Sequence, residues 1–138
     1  MHVRDAMTPV AVTVGPDHTL REAARAMATR RVGAAVVHDP DGPGVGIVTE
    51  RDVLTALADG ADPDVETVAA HLTGELVFAA PTWSLDQAAE AMVRGGFRHL
   101  VVLDAGEVAG VLGMRDIVRA WTTQRTAAPL QGTAAARV

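Results

Sequence analysis

Residues 46–52 read Gly-Ile-Val-Thr-Glu-Arg-Asp, and residues 110–116 read Gly-Val-Leu-Gly-Met-Arg-Asp. The two stretches agree at Gly46 and Gly110, at Arg51 and Arg115, and at Asp52 and Asp116. Upstream the agreement continues at an offset one residue longer. Val3 falls on Val68, Thr8 on Thr73, Pro16 on Pro81, Leu20 on Leu85, Met27 on Met92, Val36 on Val101 and Asp39 on Asp104. One residue fewer in a loop accounts for the change of offset. Agreement that runs in order through a whole unit marks an internal repeat, which decides the fold before any single element does.

Each unit carries the same signals in the same order. A short apolar segment (residues 11–14, then 76–79) is followed by Pro and by an S/T-x-x-E/Q box, Thr19 with Glu22 and Ser84 with Gln87. Such boxes satisfy the free backbone donors of a helix N-terminus. Beyond them Leu20, Ala23, Ala24 and Met27, repeated as Leu85, Ala88, Ala89 and Met92, trace one buried helical face. Two apolar runs around a turn predict a hairpin in each unit, at 34–37 with 45–48 and at 100–103 with 108–112. A second helix starts near Thr49 or Gly113 and carries Val53, Leu54 and Leu57, or Ile117, Val118 and Trp121. The fold class is therefore α/β (α+β), built from two β-α-β-β-α repeats. The first spans 1–58, a polar connector 59–67, the second repeat 68–122, and a loose tail without apolar periodicity 123–138.

Composition narrows the function. Of 138 residues 49% are hydrophobic but only 3% aromatic, so the core is made of Ala, Val, Leu, Ile and Met. Each repeat alone would be marginal, which predicts that the two depend on mutual packing. The net charge of -5 and the absence of a basic run argue against a nucleic-acid partner. No Cys is present, which excludes thiolate catalysis, disulfides and thiolate metal sites. The histidines lack ligand spacing, and no nucleophile–base constellation is visible, so neither a metal site nor an enzyme is expected. Arg4 and Asp5 precede any apolar run, and no apolar stretch approaches ~20 residues. A cytoplasmic protein without a membrane span is the expectation.

The sequence resembles the cystathionine-β-synthase (CBS) domain family. The resemblance rests on the element order and on V-R-D-A-M-T at residues 3–8 and G-I-V-T-E-R-D at 46–52. It rests further on G-G-F-R-H-L-V-V at 95–102, and on G-V-L-G-M-R-D at 110–116. It implies a tandem pair, or Bateman module, whose halves pack through their sheets about a pseudo-twofold axis and leave two clefts between them. It also implies a homodimeric disc, and a stand-alone regulatory module that takes AMP, ADP, ATP or another adenosyl ligand such as S-adenosylmethionine. A separate effector protein would read the bound state. A ligand-free homodimeric scaffold is the alternative.

Thr49 and Asp52 stand where a strand gives way to a helix, where free N–H groups and the helix dipole favour an anion. An ionised Asp has only acceptors and can take both hydroxyls of a ribose diol. The same two residues also read as a plain helix cap. The resemblance matches them to the family's T-x-x-D, with Asp52 on ribose and Thr49 near phosphate. In the second repeat Gly113 replaces the Thr while Asp116 remains, so one good site, at Thr49 and Asp52, is expected. By the same resemblance Arg98 and His99 reach phosphate near the midline. Val12, Thr13 and Val14, with Phe78 and Ala79, would flank adenine.

Overall fold

Both S/T-x-x-E/Q boxes close as reciprocal caps in the computed structural model, which describes residues 1–9, 12–41, 45–73 and 76–126. Thr19 Oγ1 accepts from the Glu22 N–H at 3.1 Å, and the Glu22 carboxylate accepts from the Thr19 N–H at 3.0 Å. Ser84 and Gln87 do the same at 3.0 and 2.9 Å. They start the helices Leu20–Arg30 and Leu85–Gly95, which bury Leu20, Ala23 and Met27, and Leu85, Ala88 and Met92.

Numbering in chain order gives α1 (Val3–Ala6), β1 (Thr8–Pro9), β2 (Thr13–Val14), α2 (Leu20–Arg30), β3 (Ala34–His38), β4 (Val45–Thr49) and α3 (Glu50–Ala58). A 3-10 turn at Val68–His71 precedes β5 (Phe78–Ala79), α4 (Leu85–Gly95), β6 (His99–Asp104), β7 (Glu107–Gly113) and α5 (Met114–Thr126). In each repeat the hairpin is antiparallel, and the short opening strand joins it in parallel. Ala105 and Gly106 both take positive φ, the two-residue turn that suits the twist of paired strands. The chain is thus a mixed α+β protein with two small sheets. The opening strands are shorter than the apolar segments suggested, two residues each, and Ala11 lies outside the described residues. Helix α5 runs to Thr126, so the segment expected as tail begins as helix; residues 127–138 lie outside the described residues.

The first residues of each unit hold a finding that patterning did not anticipate. Strand β1 belongs to the second sheet, ordered β1-β7-β6-β5, while the first is β2-β3-β4. Val3 is fully buried in the core of the second repeat with Leu85, Met92, Leu100 and Leu112. Val68, its counterpart, is fully buried in the core of the first with Ala23, Met27 and Val48. The Val3 N–H donates to Trp83 O and the Arg4 N–H to Pro81 O; the Val68 N–H donates to His18 O and the Ala69 N–H to Pro16 O. These are the same bonds at the repeat offset. Each repeat is therefore closed by the other's opening segment, which gives the mutual dependence expected of two small cores.

The second helices depart from expectation in their burial. Ile117 is buried and Val53 packs on the first core, but Leu54, Leu57, Val118 and Trp121 are all exposed. No helix among the described residues is long and apolar enough to cross a membrane.

Candidate functional site

A cavity of about 520 Å³ opens between the repeats, within the range of on the order of 300–1,000 Å³ typical of small-molecule sites. The first repeat lends it Arg31, Gly33, Ala34 and Glu50, and the second lends Arg98, His99, Gly113, Arg115, Asp116 and Arg119. Thr8, Pro9 and Val12 close one side.

Asp116 sits at the junction of β7 and α5 and is only 8% exposed. Its Oδ2 accepts from the Gly113 N–H at 2.8 Å, and its Oδ1 from the Thr8 hydroxyl at 3.0 Å and from Arg119 at 3.1 Å. A carboxylate offers about four lone-pair positions, so these bonds leave about one open. Arg119 is largely exposed and i,i+3 to Asp116, which makes it the partner most easily exchanged.

Asp52 is built in the same way. Its Oδ2 accepts from the Thr49 N–H at 2.8 Å, the Thr49 hydroxyl at 3.0 Å and the Thr73 hydroxyl at 2.6 Å. Thr49 in turn accepts from the Asp52 N–H, so the two close a capping box at the start of α3. Thr8 and Thr73 are thus paired across the repeats, each donating to the aspartate of the other. Sequence reasoning gave neither a role. Their agreement at the repeat offset was the signal available.

The cavity lies on the Asp116 side, and Thr49 and Asp52 do not line it. The comparison of Gly113 with Thr49 had pointed to the other cleft. The reason for the difference is the cross-strand register. Thr49 pairs with Ala34 in the first sheet, and Gly113 pairs with His99 in the second. Bulk has moved from one strand to its neighbour. A Cβ on Gly113 would stand 3.3 Å from His99 Cδ2, and one on Gly33 would stand 3.6 Å from His99 Nε2. The imidazole lies between two positions that have no side chain.

Of the other expected site residues, Val12 lines the cavity with Arg98, His99 and Asp116. Val14 and Ala79 are core residues, while Thr13 and Phe78 point outward, as strand alternation requires. None of these four lines the cavity.

Four arginines face two carboxylates in the lining, so the cavity favours an anion. Arg115 is held by Glu50 at 2.8 Å across the repeats, an exposed pair that adds little stability. Burial pushes the His99 imidazole below the ordinary histidine range, partly offset by the Glu50 and Asp116 carboxylates. His99 is accordingly neutral near pH 7 and adds no positive charge there. Its depressed folded value means that the unfolded chain binds more protons in acid, so stability falls as pH drops below ~6.5. The urea midpoint should fall less between pH 7 and pH 5 in His99→Gln than in the native chain. Equal slopes would show that His99 does not contribute.

The CBS domain model matches the chain twice, over residues 3–59 and 65–122. The chain belongs to the CBS-domain family. The CBS domain-containing protein YhcV of Bacillus subtilis is 34% identical over 116 residues, 83% of this chain and 81% of that protein. The chain also matches an uncharacterized protein of Methanocaldococcus jannaschii, 31% identical over 85% of this chain. It spans 41% of that relative, and 23% of an Arabidopsis thaliana CBS domain-containing protein that is 35% identical. Among solved structures, the CBS-domain containing protein of Agrobacterium tumefaciens superposes with a TM-score of 0.79 at 37% identity. That match covers 88% of this chain and 99% of the other. A CBS domain protein from Pyrobaculum aerophilum, complexed with AMP, gives 0.76 at 32% identity over 93% and 100%. In CBS terms, the cavity is the cleft of the second repeat's aspartate, completed by the first repeat's β1.

Proposed function

We propose that this CBS pair is a regulatory module that binds an adenosine nucleotide, AMP above ADP or ATP, in the cavity around Asp116. The observation that carries the reading is one buried carboxylate set among arginines in a cleft between two repeats. Asp116 suits the ribose diol, and Arg98 suits the phosphate. Gly113 leaves the His99 imidazole the space beside Asp116 that a side chain there would contest. The AMP complex of the Pyrobaculum aerophilum protein supports the ligand class. S-adenosylmethionine, whose sulfonium is cationic, fits a lining of four arginines less well. Regulation would follow from unequal ligand affinity for two arrangements of the repeats, read by a separate effector protein.

The test is thermal unfolding with adenosine, AMP, ADP, ATP and S-adenosylmethionine. At about 100 times its Kd a ligand adds roughly 2.7 kcal/mol, a shift on the order of 5–15 °C for a chain of this size. A chain that none of the five shifts is no adenosyl sensor, and the scaffold reading then holds.

The exposed Leu54 and Leu57 on α3 and Trp121 on α5 support a homodimer formed through the closing helices. Sedimentation velocity at tens of micromolar should give twice the chain mass; a monomer there would exclude the disc.

A further inference from the structure

The two long helices end differently. Helix α4 ends on Gly96, at φ 72° and ψ 24°, the left-handed cap that glycine adopts without steric cost. Helix α2 ends on Arg31, at φ 56° and ψ 42°, in the same conformation. The two positions correspond at the repeat offset. An L side chain with a Cβ is disfavoured there, and Arg31 and Ala105 are the described non-glycine residues with positive φ. The first repeat therefore carries an arginine where its own fold would be served better by glycine.

That arginine lines the cavity. Of the four guanidinium groups there, Arg115 is taken by Glu50 and Arg119 by Asp116. Among the described residues Arg31 and Arg98 have no carboxylate within ion-pair distance, and they come from different repeats. Two uncommitted guanidinium groups on one cleft match a phosphate dianion, since each offers a planar fork of donors.

We infer that Arg31 is an anion-binding residue of this cavity, so that a ligand phosphate is held by one guanidinium from each repeat. The inference rests on the nucleotide reading of the cavity. It gives the site its discrimination: a phosphorylated ligand ties the two repeats together by charge, while a bare nucleoside does not. The unfavourable backbone at Arg31 is then a local loss of stability kept for binding.

Arg31→Gly separates the two effects because they have opposite signs. Without ligand, the variant should melt at the native temperature or roughly 2–5 °C above it, since glycine relieves the left-handed cap. By titration calorimetry on the full chain, AMP should bind roughly tenfold to a hundredfold more weakly, as expected for a lost charge-assisted contact. Adenosine affinity should change less than about twofold. Arg31→Lys, which keeps the charge but not the fork, should recover part of the AMP affinity. Unchanged AMP affinity in Arg31→Gly overturns the inference, as does equal weakening of AMP and adenosine, which would mean lost pocket shape. The native titration is decided separately: if it binds neither compound, the nucleotide reading fails, and this inference with it.

Discussion

Replacing Asp116 with alanine should remove the thermal shift expected from AMP, while Asp52→Ala should retain most of it. Asp116 is the buried carboxylate of the cavity, and two ribose hydroxyls bound to it would be charge-assisted contacts of about 1.5–3 kcal/mol each. Their loss corresponds to roughly two to four orders of magnitude in affinity. At a ligand concentration that saturates the native chain, the variant therefore shows almost no shift. The substitution also removes a helix-start acceptor and leaves the Thr8 hydroxyl without its partner. That part, about 1–2 kcal/mol, appears without ligand and is read from the ligand-free melting temperature. Asp52→Ala carries the same structural cost, because Asp52 caps α3 and accepts from Thr73, and so serves as the matched control. Loss of the shift in Asp52→Ala alone would move the site to the cleft of the first repeat.

Gly110→Ala lowers stability by about 2–4 kcal/mol, near the upper end of overpacking effects. A Cβ at this position would stand 2.6 Å from the carbonyl oxygen of Thr8, which is backbone and cannot swing aside. Pro9 pairs with Gly110 and Thr8 with Val111, so strand β1 must lift from β7 to make room. Lifting it loosens α1 and the buried Val3 behind it. It also disturbs the cavity, because Thr8 and Pro9 line it. AMP binding should weaken together with stability. The corresponding Gly46→Ala meets the side-chain methyls of Leu72, at 3.3 and 3.4 Å, which can give way, and Val37 Cβ at 3.6 Å, an ordinary van der Waals contact. Its cost should stay below about 1 kcal/mol, as for an ordinary small packing change. Urea unfolding of both variants reads the contrast. Equal costs at the two glycines would show that β1 docks more loosely than its register implies.

The parts of the fold legible in the sequence are those fixed by local chemistry. Thr19 with Glu22 and Ser84 with Gln87 announce their helices because a cap is satisfied within four residues. The apolar stripe of Leu85, Ala88 and Met92 is visible because helical period and burial coincide. The exchange of opening segments is not legible in this way. A four-residue helix and a two-residue strand have no period to detect, and their partners lie in the other repeat. The place of the cavity was not legible for a related reason. Gly113 looked like a lost hydroxyl when compared with Thr49 alone. Set beside its cross-strand neighbour His99, it is one half of an exchange of volume with Ala34 and Thr49. Sequence alignment of the repeats finds the differing residue, but the strand register explains it. Leu54 and Trp121 teach the converse, since apolar residues on a helix need not face the core of their own chain.

The crossed openings also bear on how the molecule assembles. The groove that receives Val3 is formed by the second repeat, and the groove that receives Val68 by the first. On a single polypeptide each insertion is intramolecular, with the connector keeping its partner at an effective concentration on the order of millimolar. Cut within that connector, the same contacts become a bimolecular association that dilution can dissolve. That the two grooves fill independently of protein concentration is thus a property of the covalent joining, since either half alone would present an empty groove to the next copy it met.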